Sequence, residues 1–266
     1  MSSDPFGAAS RPVRIGVQIA PQHASYALIR ETLDRVEGMG ADIAFNWDHF
    51  FPLSGEPDGL HFESWTELAA WAEQTERIEL GSLVNCNSYR NPNLQADMAR
   101  TIDHISGGRF IFGTGSGWFE RDYDEYGYEF GTAGSRLDAL AKDLPIVRDR
   151  WTKLNPPPVR KIPILIGGGG EKKTLRIVAQ HADIWHSFSD EETLKRKLDI
   201  LRGHADDVGR DVREIELSSE IKRRSVQEAE AQYALGVRMF TVGISAPDFD
   251  FDAVAKWIEW RDSKNG

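Results

Sequence analysis

Asp48 and His49 stand together directly after a short apolar run, and aromatic residues flank them on both sides. An imidazole can exchange protons near neutral pH, and a carboxylate beside it can set its tautomer. A buried histidine whose hydrogen bonds are satisfied within the core would fit the same residues. The position of the pair just after a predicted strand, where parallel sheets carry their functional loops, favours a role in proton transfer.

A run of four glycines, Gly167 to Gly170, follows another predicted strand and precedes a helix. Glycines let backbone N–H groups approach an anion, and a helix N-terminus carries about +0.5 charge. The run is not a P-loop, because Glu171 rather than glycine precedes Lys172. A flexible turn is the alternative, but four consecutive glycines exceed what a turn requires. We therefore expect Gly168, Gly169 and Gly170 to bind a phosphate.

A second glycine segment, Gly113-x-Gly115-x-Gly117, departs from the dinucleotide fingerprint because Trp118 stands where the third glycine should be. Gly115, Ser116 and Gly117 could form a wall that a flat ring approaches closely, or simply a tight turn. Glu120 follows two aromatic residues and could protonate a substrate, although a solvated surface carboxylate is equally compatible with the sequence. Trp185 and His186 end a further predicted strand. They could pack in the barrel mouth or form part of a wall that contacts a ligand.

Other common site chemistries lack their motifs. The seven histidines are scattered without His-x-His or His-Glu-x-x-His spacing, so no metal site is predicted. No G-x-S-x-G elbow is present for a serine nucleophile. Cys86 is the only cysteine, which excludes an internal disulfide and favours a reduced, cytoplasmic setting.

Eight short runs of strand-forming residues alternate with longer stretches of helical period. Such alternation predicts a parallel sheet covered by helices, and 266 residues suit a (β/α)8 TIM barrel. An open doubly wound sheet is the alternative. The predicted strands are Ile15–Ala20, Asp42–Trp47, Arg77–Val84, Arg109–Phe112, Ile162–Ile166, Ala182–His186, Glu214–Ser219 and Val237–Ile244.

Local signals place several helix boundaries. Capping-box spacing occurs at Ser64-x-x-Glu67, Ser189-x-x-Glu192 and Ser225-x-x-Glu228, and Asn91-Pro92 has the N-cap and N1 pattern. Pro145 interrupts a helical stripe, where we expect a kink or a break. Residues 1–13 are predicted to be a flexible segment, and residues 14–266 a single barrel domain.

The balance of charges limits the partners. Lys and Arg number 32 and Asp and Glu 42, which gives a net charge of −10. Such an acidic chain is unsuited to hold nucleic acid or an anionic membrane through bulk charge. No signal peptide or membrane-spanning apolar run is recognisable.

Several stretches together resemble the luciferase-like flavin and deazaflavin oxidoreductases, most closely the actinobacterial branch that uses coenzyme F420. They are WDHFFPL (47–53), RIELGSLVNCNSYRNP (77–92), ARTIDHISGGRFIFGTGSGWFERDYDEYGYEF (99–130) and IPILIGGGGEKKTLRIVAQHADIW (162–185). The resemblance weakens beyond residue 187. Residues 152–161 form only a short proline-rich loop where the family commonly has a longer segment, which indicates a compact barrel with a relatively open mouth.

The resemblance implies a homodimeric barrel whose cofactor ring lies across the mouth. It implies that Asp48 contacts the cofactor and that His49 faces the substrate side of the ring. A bulge with a non-proline cis peptide at Leu83–Val84, with Asn85 beside it, would support the ring. The segment Gly115 to Gly117 would flank the ring, and Gly169 and Gly170 would belong to the phosphate loop.

The leading hypothesis is hydride transfer between F420 and a small, partly apolar or planar substrate, with His49 and then Glu120 as candidates for proton transfer. One alternative is an FMN-dependent monooxygenase that uses oxygen. Another is a cofactor-binding barrel without turnover of its own. The aromatic residues predicted around the mouth are Trp47, Phe50, Phe51, Tyr89, Trp118 and Trp185.

Overall fold

Eight parallel strands close into a barrel in a computed structural model that describes residues 6–221 and 225–266. The sheet closes because β1 pairs with β9 and β3 pairs with β5. This confirms the predicted (β/α)8 barrel and excludes the open sheet. The strands are β1 (Arg14–Ile19), β2 (Ile43–Asn46), β3 (Glu79–Ser82), β5 (Phe110–Gly115), β6 (Ile164–Gly167), β7 (Ile184–Ser187), β8 (Glu216–Glu220) and β9 (Val237–Ile244), and a two-residue β4 (Asn85–Cys86) continues β3 along β5.

Helices connect the strands and cover the outside of the barrel. Parallel strands are buried on both faces, which explains why they form short, almost continuous apolar runs in the sequence. Among the described residues, no helix is long and apolar enough to cross a membrane. The helices are α1 (Tyr26–Gly38), α2 (Ser64–Gln74), α3 (Pro92–Ile105), α4 (Glu120–Tyr126), α5 (Ala133–Lys153), α6 (Thr174–His181), α7 (Glu191–Asp207), α8 (Val226–Ala234) and α9 (Phe251–Asn265).

Two of the predicted helix starts have the expected caps. The Asn91 side chain accepts from the backbone N–H of Asn93 at the start of α3, with Pro92 at the first helical position. Ser225 and Glu228 form a reciprocal capping box at α8. Both are local interactions, which is why the sequence alone could predict them.

The other two predicted capping boxes are wrong. Glu63 caps α2, and the hydroxyl of Ser64 instead donates to Asn46 Oδ1 at the end of β2, 2.9 Å away. Asp190, not Ser189, caps α7. In both cases a carboxylate one residue away takes the backbone N–H groups, and at α2 the serine is held by a tertiary contact.

Helix α5 runs through Pro145 without a break, so of the two expected outcomes, a kink or a break, the break is wrong. Proline removes one backbone hydrogen bond, but the buried side chains of Leu140, Leu144 and Val147 lie on either side of it. Their packing continues along the helix, and it compensates for the missing bond.

Residues 6–13 pack against the barrel, while residues 1–5 lie outside the described residues, and the flexibility of this segment stays a prediction. Phe6 is 2% exposed, and its carbonyl accepts from Arg11 Nη1 at 2.7 Å. The N–H of Val13 donates to Asn265 Oδ1 at 2.8 Å. Burial of the Phe6 ring holds this segment against the barrel, and the composition of the segment does not indicate this contact.

The barrel interior is filled in layers. Charged side chains of Arg14, Glu79 and Glu216 pair at the amino ends of the strands. An apolar cluster that includes Phe45 and Leu165 lies above them. A cavity opens at the carboxyl ends of the strands, and the candidate site lies there.

Candidate active site

A cavity of about 390 Å³ opens at the carboxyl ends of the strands. Its size lies within the range of pockets that hold small ligands. Strand ends from opposite sides of the barrel contribute to it, so it collects residues that are far apart in sequence. Nine of the predicted site residues line it, namely Asp48, His49, Leu83, Val84, Asn85, Gly115, Ser116, Gly117 and Gly168.

Three predicted site residues are not part of the cavity wall. Glu120 is exposed at the first position of α4, and its side chain does not line the cavity. Gly169 and Gly170 continue the glycine loop beyond the lining residue Gly168. The structure therefore gives no support to Glu120 as a proton donor, and the last two glycines lie outside the lining of the cavity.

His49 is held by a buried carboxylate that the sequence did not indicate. Its Nδ1 lies 2.6 Å from Asp122 Oδ2 on α4. Asp122 is fully buried, and it also accepts from the backbone N–H of Phe50 at 3.0 Å and from the Tyr89 hydroxyl at 2.8 Å. Because Nδ1 is engaged, Nε2 is the imidazole atom that remains for a ligand in the cavity.

Aromatic rings fix the plane of the His49 imidazole. Trp118 and Phe119 contact it edge to face, with ring centroids 5.7 and 5.5 Å away. On the same wall, Trp47 Nε1 lies 3.2 Å from His61 Nε2. Burial lowers the pKa of His61 to about 4, so this imidazole is neutral and can accept the indole N–H.

Asp48 does not set the tautomer of His49, although it is the adjacent carboxylate. Its two oxygens bind the Arg90 guanidinium, at 2.6 Å to Nη1 and 3.0 Å to Nη2. It also accepts from the backbone N–H of Cys86 at 3.0 Å. Burial by itself would lower the pKa of Arg90, but Asp48 and Glu63 outweigh it and raise that pKa. Asp48 thus fixes β4 and Arg90.

Asn85 likewise has internal partners. Its Oδ1 accepts from Trp65 Nε1 at 2.5 Å, and its Nδ2 donates to Gln95 Oε1 at 2.7 Å. These bonds tie the end of the barrel to α2 and α3. Asn85 contributes to the cavity wall, but its amide is committed to holding that wall in place.

Leu83 and Val84 connect β3 to β4 and line the cavity, and we call this pair the ledge. Their peptide bond is cis, and Gln18 Nε2 donates to the Leu83 carbonyl at 2.6 Å. A Cβ atom at Gly115 or at Gly167 would lie 2.8 or 2.9 Å from a methyl group of Val84. The two glycines therefore leave the space that the Val84 side chain occupies. This packing explains why glycine is needed at both positions, apart from any role in a turn.

The backbone conformation and the neighbouring side chains require a glycine at position 117. Its φ is +79°, and a Cβ there would lie 2.1 Å from the Tyr123 hydroxyl and 2.5 Å from Cys86 Sγ. Burial raises the pKa of Cys86 to about 11, so the thiol stays protonated beside Tyr123. This segment forms a fixed wall next to the ledge.

His186 lies at the floor of the cavity, on β7. Its Nδ1 is 2.8 Å from Ser218 Oγ on β8, and Phe188 contacts the ring edge to face at 4.8 Å. The sequence predicted Trp185 at the mouth of the barrel, but the structure does not place it there. It is buried among the outer core residues, and its Nε1 donates to the Gly168 carbonyl at 2.7 Å.

A lysine that the sequence did not single out lies over the glycine loop. Lys197 Nζ on α7 donates to Ser189 Oγ at 3.1 Å, and a Cβ at Gly169 would lie 2.4 Å from that nitrogen. The adjacent Lys173 is instead paired with Asp138 at 2.7 Å. Glycine at position 169 thus allows an ammonium group to rest against the loop, which favours an anion there.

Across residues 6–221 and 225–266, no group of three or more His, Cys, Asp or Glu residues could hold a metal ion. The arrangement places the His49 imidazole, the ledge of Leu83 and Val84 and the start of the glycine loop around one cavity.

The sequence matches the family model of the luciferase-like monooxygenases over residues 9–262. The chain belongs to this family. The pyrimidine monooxygenase RutA of Allorhizobium ampelinum is 28% identical over 179 residues, which cover 60% of this chain and 48% of that protein. An uncharacterised protein of Mycobacterium tuberculosis is 27% identical over 232 residues, which cover 78% of this chain and 80% of that protein. The chain thus spans about half the length of RutA.

Solved structures of similar fold include both F420-dependent and FMN-binding proteins. An F420-dependent secondary alcohol dehydrogenase, in complex with an F420-acetone adduct, has a TM-score of 0.81 at 16% identity, covering 91% of this chain and 96% of that one. The FMN complex of the oxygenating constituent of 3,6-diketocamphane monooxygenase from Pseudomonas putida has a TM-score of 0.61 at 16% identity, covering 78% and 67%. At such identities the likeness concerns the fold. The luciferase-like family comprises oxidoreductases and monooxygenases, with F420-dependent and flavin-dependent members.

Proposed function

We propose that this protein is an F420-dependent oxidoreductase that catalyses hydride transfer to or from a small organic substrate. The observation that carries the proposal is the arrangement of the cavity. The ledge of Leu83 and Val84 lies at the same cavity as His49, whose Nδ1 is fixed by the buried Asp122. A ring seated on the ledge would leave Nε2 of His49 available to the reacting substrate.

The residues present fit a flat ring with a phosphate-bearing side chain. Gly115 and Gly167 make room for the ledge, and Gly117 keeps the neighbouring wall close. The loop from Gly168 to Gly170, with Lys197 beside it, would hold the phosphate. When bound, a deazaflavin supplies or accepts a hydride; the protein contributes orientation and electrostatics.

His49 would move the proton that accompanies the hydride. In the direction of carbonyl reduction, protonated Nε2 donates to the substrate oxygen as that oxygen gains negative charge. In alcohol oxidation, neutral Nε2 accepts the hydroxyl proton. In both directions Asp122 holds Nδ1–H and stabilises the imidazolium form, so the ring keeps one orientation.

The substrate is proposed to be partly apolar. Trp118 and Phe188 both line the cavity, although they are 62% and 65% exposed. Large apolar side chains left open at the rim of a pocket are suited to cover a planar or hydrocarbon part of a ligand.

An FMN-dependent monooxygenase is the second candidate. It is favoured by the likeness to the FMN complex and to RutA, and the ledge and loop suit either ring system. The difference lies in the chemistry of the ring, because reduced flavins react with oxygen and deazaflavins do not react in that way.

Titration of the purified protein with oxidised F420, and in parallel with FMN, tests the proposal through the fluorescence of each ring. We expect F420 to bind at micromolar concentration and FMN to compete weakly for the same site. Binding of FMN without binding of F420 would transfer the assignment to the monooxygenase. Failure to bind either coenzyme would overturn both.

A further inference from the structure

The floor of the cavity contains a histidine that the proposed chemistry does not use. His186 has no measurable exposure, yet it lines the cavity. Its Nδ1 is engaged by Ser218 Oγ at 2.8 Å, whereas its Nε2 has no hydrogen-bond partner among the described residues. A buried polar atom normally has a partner, so this one calls for an explanation.

Packing alone is a poor explanation for this residue. An apolar ring of similar shape could fill the same space without leaving a buried nitrogen unsatisfied. The Phe188 ring contacts the imidazole edge to face at 4.8 Å, and Ser218 fixes the ring from the neighbouring strand. The imidazole is therefore held in one orientation, with a single nitrogen left without a protein partner.

The position of His186 relates it to the coenzyme rather than to the substrate. Its backbone carbonyl accepts from the N–H of Gly168 at 3.2 Å, so it adjoins the loop assigned to the phosphate. Of the residues assigned to the substrate, His49 and Trp118 contact each other on other segments of the cavity wall, whereas the Phe188 ring contacts the His186 imidazole from one side.

We propose that His186 is a coenzyme-binding residue, whose Nε2 forms a hydrogen bond with an uncharged polar group on the ring system, such as a carbonyl or an imide N–H. The inference rests on the proposed function, because it takes the coenzyme as the ligand of this cavity. Burial lowers the pKa of His186 to about 3, so the imidazole is neutral in the working range of pH. A neutral partner on the coenzyme matches it, since a buried charge would lack compensation.

The test compares His186→Phe, which keeps a ring but removes both nitrogens, with His186→Gln, which can keep a polar atom near the Nε2 position. The readouts are the dissociation constants of oxidised F420 and of FMN, together with the melting temperature of the ligand-free protein. We expect His186→Phe to weaken binding of the preferred coenzyme by about tenfold or more, and His186→Gln by less than about threefold. The melting temperature of His186→Phe should equal or exceed that of the wild type.

This combination separates a binding role from a packing role. Weaker binding by a protein of unchanged or higher stability supports the proposal. Binding by His186→Phe as tight as that of the wild type would overturn it while leaving the proposed function intact. A wild-type protein that binds neither coenzyme would overturn both.

Ser218→Ala is the second variant, in case His186→Phe does not fold. It removes the partner of Nδ1 and frees the imidazole to turn, and we expect a several-fold weaker affinity for the coenzyme. Unchanged affinity in Ser218→Ala would also count against the proposal. His104→Phe is the control, because His104 lies on α3, contacts the Pro157 carbonyl and does not line the cavity.

Discussion

The two ends of the barrel interior both contain polar side chains, but they differ in how these are paired. At the amino end, Arg14 binds Glu79 and also Glu216, and Arg160 joins Glu79 at 2.6 Å. At the carboxyl end, His186 Nε2 and Ser82 Oγ lack partners within the described chain. The amino end pairs its charged groups with one another, whereas the carboxyl end leaves the unpaired His186 nitrogen on a residue that lines the cavity.

This difference between the two ends indicates that one end of the barrel contributes stability and the other carries the candidate active site. Barrel enzymes carry their active sites at the carboxyl ends of the strands, and the opposite end contributes stability. Here ion pairs fill the amino end of the barrel. At the carboxyl end, Gly115 and Gly167 have no side chains, which leaves room for the Val84 side chain beside the cavity. Changes at the amino end should therefore alter unfolding, and changes at the carboxyl end should alter binding and turnover.

The largest effect is expected at the carboxyl end, from His49→Ala. Loss of the proton carrier should lower kcat/KM by about 10²- to 10⁴-fold. The dissociation constant of the coenzyme should change by less than about threefold, because the ledge and the glycine loop remain. Steady-state kinetics and fluorescence titration measure the two quantities. A variant with unimpaired turnover would remove His49 from the mechanism.

At the amino end, Glu216→Ala should reduce the free energy of unfolding by about 2 kcal/mol, because it deprives the largely buried Arg14 of one of its two carboxylates. Denaturant titration measures the loss. Glu214→Ala is the matched control, since Glu214 forms an exposed pair with Arg210 at 3.2 Å and its removal should cost under about 1 kcal/mol. A change in coenzyme affinity for Glu216→Ala would contradict the separation of the two ends.

Glu67, near the carboxyl end of β2, should make the stability of the folded protein depend on pH. Its Oε2 accepts from Asn46 at the end of β2, its Oε1 lacks a partner among the described residues, and burial raises its pKa to about 8. The folded protein thus binds this proton more tightly than the unfolded chain, where the pKa is about 4.3. The contribution of Glu67 to stability is full below that value and is lost as pH rises through about 8.

Glu67→Gln should remove this loss, so that at pH 8 the variant is more stable than the wild type by on the order of 1–2 kcal/mol. Denaturant titrations across the pH range measure the difference. Glu73→Gln, at an exposed position on the same helix, is the control. Parallel pH profiles for the wild type and Glu67→Gln would show that Glu67 does not carry the dependence.

The smallest effect is expected from Tyr89→Phe, which removes one of the three hydrogen bonds to Asp122. The other two bonds remain, so kcat/KM should fall by less than about tenfold and stability by about 1 kcal/mol. Kinetics and thermal unfolding of the same preparation check both values. A loss of turnover as large as that of His49→Ala would mean that the Tyr89 hydroxyl itself takes part in the reaction.

The order of the strands was predictable because each buried strand leaves a local apolar run. Val237–Ile244 has the predicted bounds. The prediction for residues 77–84 merged β3 with the ledge, because Leu83 and Val84 are as apolar as a strand. The end of β5 was missed, since Gly113 to Gly115 has little strand propensity and is held by pairing with β6.

The candidate site was predicted less completely, because its partners are distant in sequence. Local patterns predicted the glycines and His49, of which His49, Gly115, Gly117 and Gly168 line the cavity. Sequence proximity favoured Asp48 as the partner of His49, but the structure pairs His49 with Asp122, 73 residues away, and Asp48 with Arg90, 42 residues away. The one local signal for Asp122 was its place two residues after Glu120, in a segment already suspected of carrying an acid.

The sequence by itself determined the alternation of strands and helices, the two glycine segments and the position of the Asp48–His49 pair after a strand. Those features depend on residue types and spacings within a few positions. Only the tertiary structure decided which carboxylate meets His49, that Glu120 stays outside the cavity, and that His186 reaches its floor without a partner for Nε2. Barrel closure and strand register set these contacts, and both are determined by packing across the whole chain.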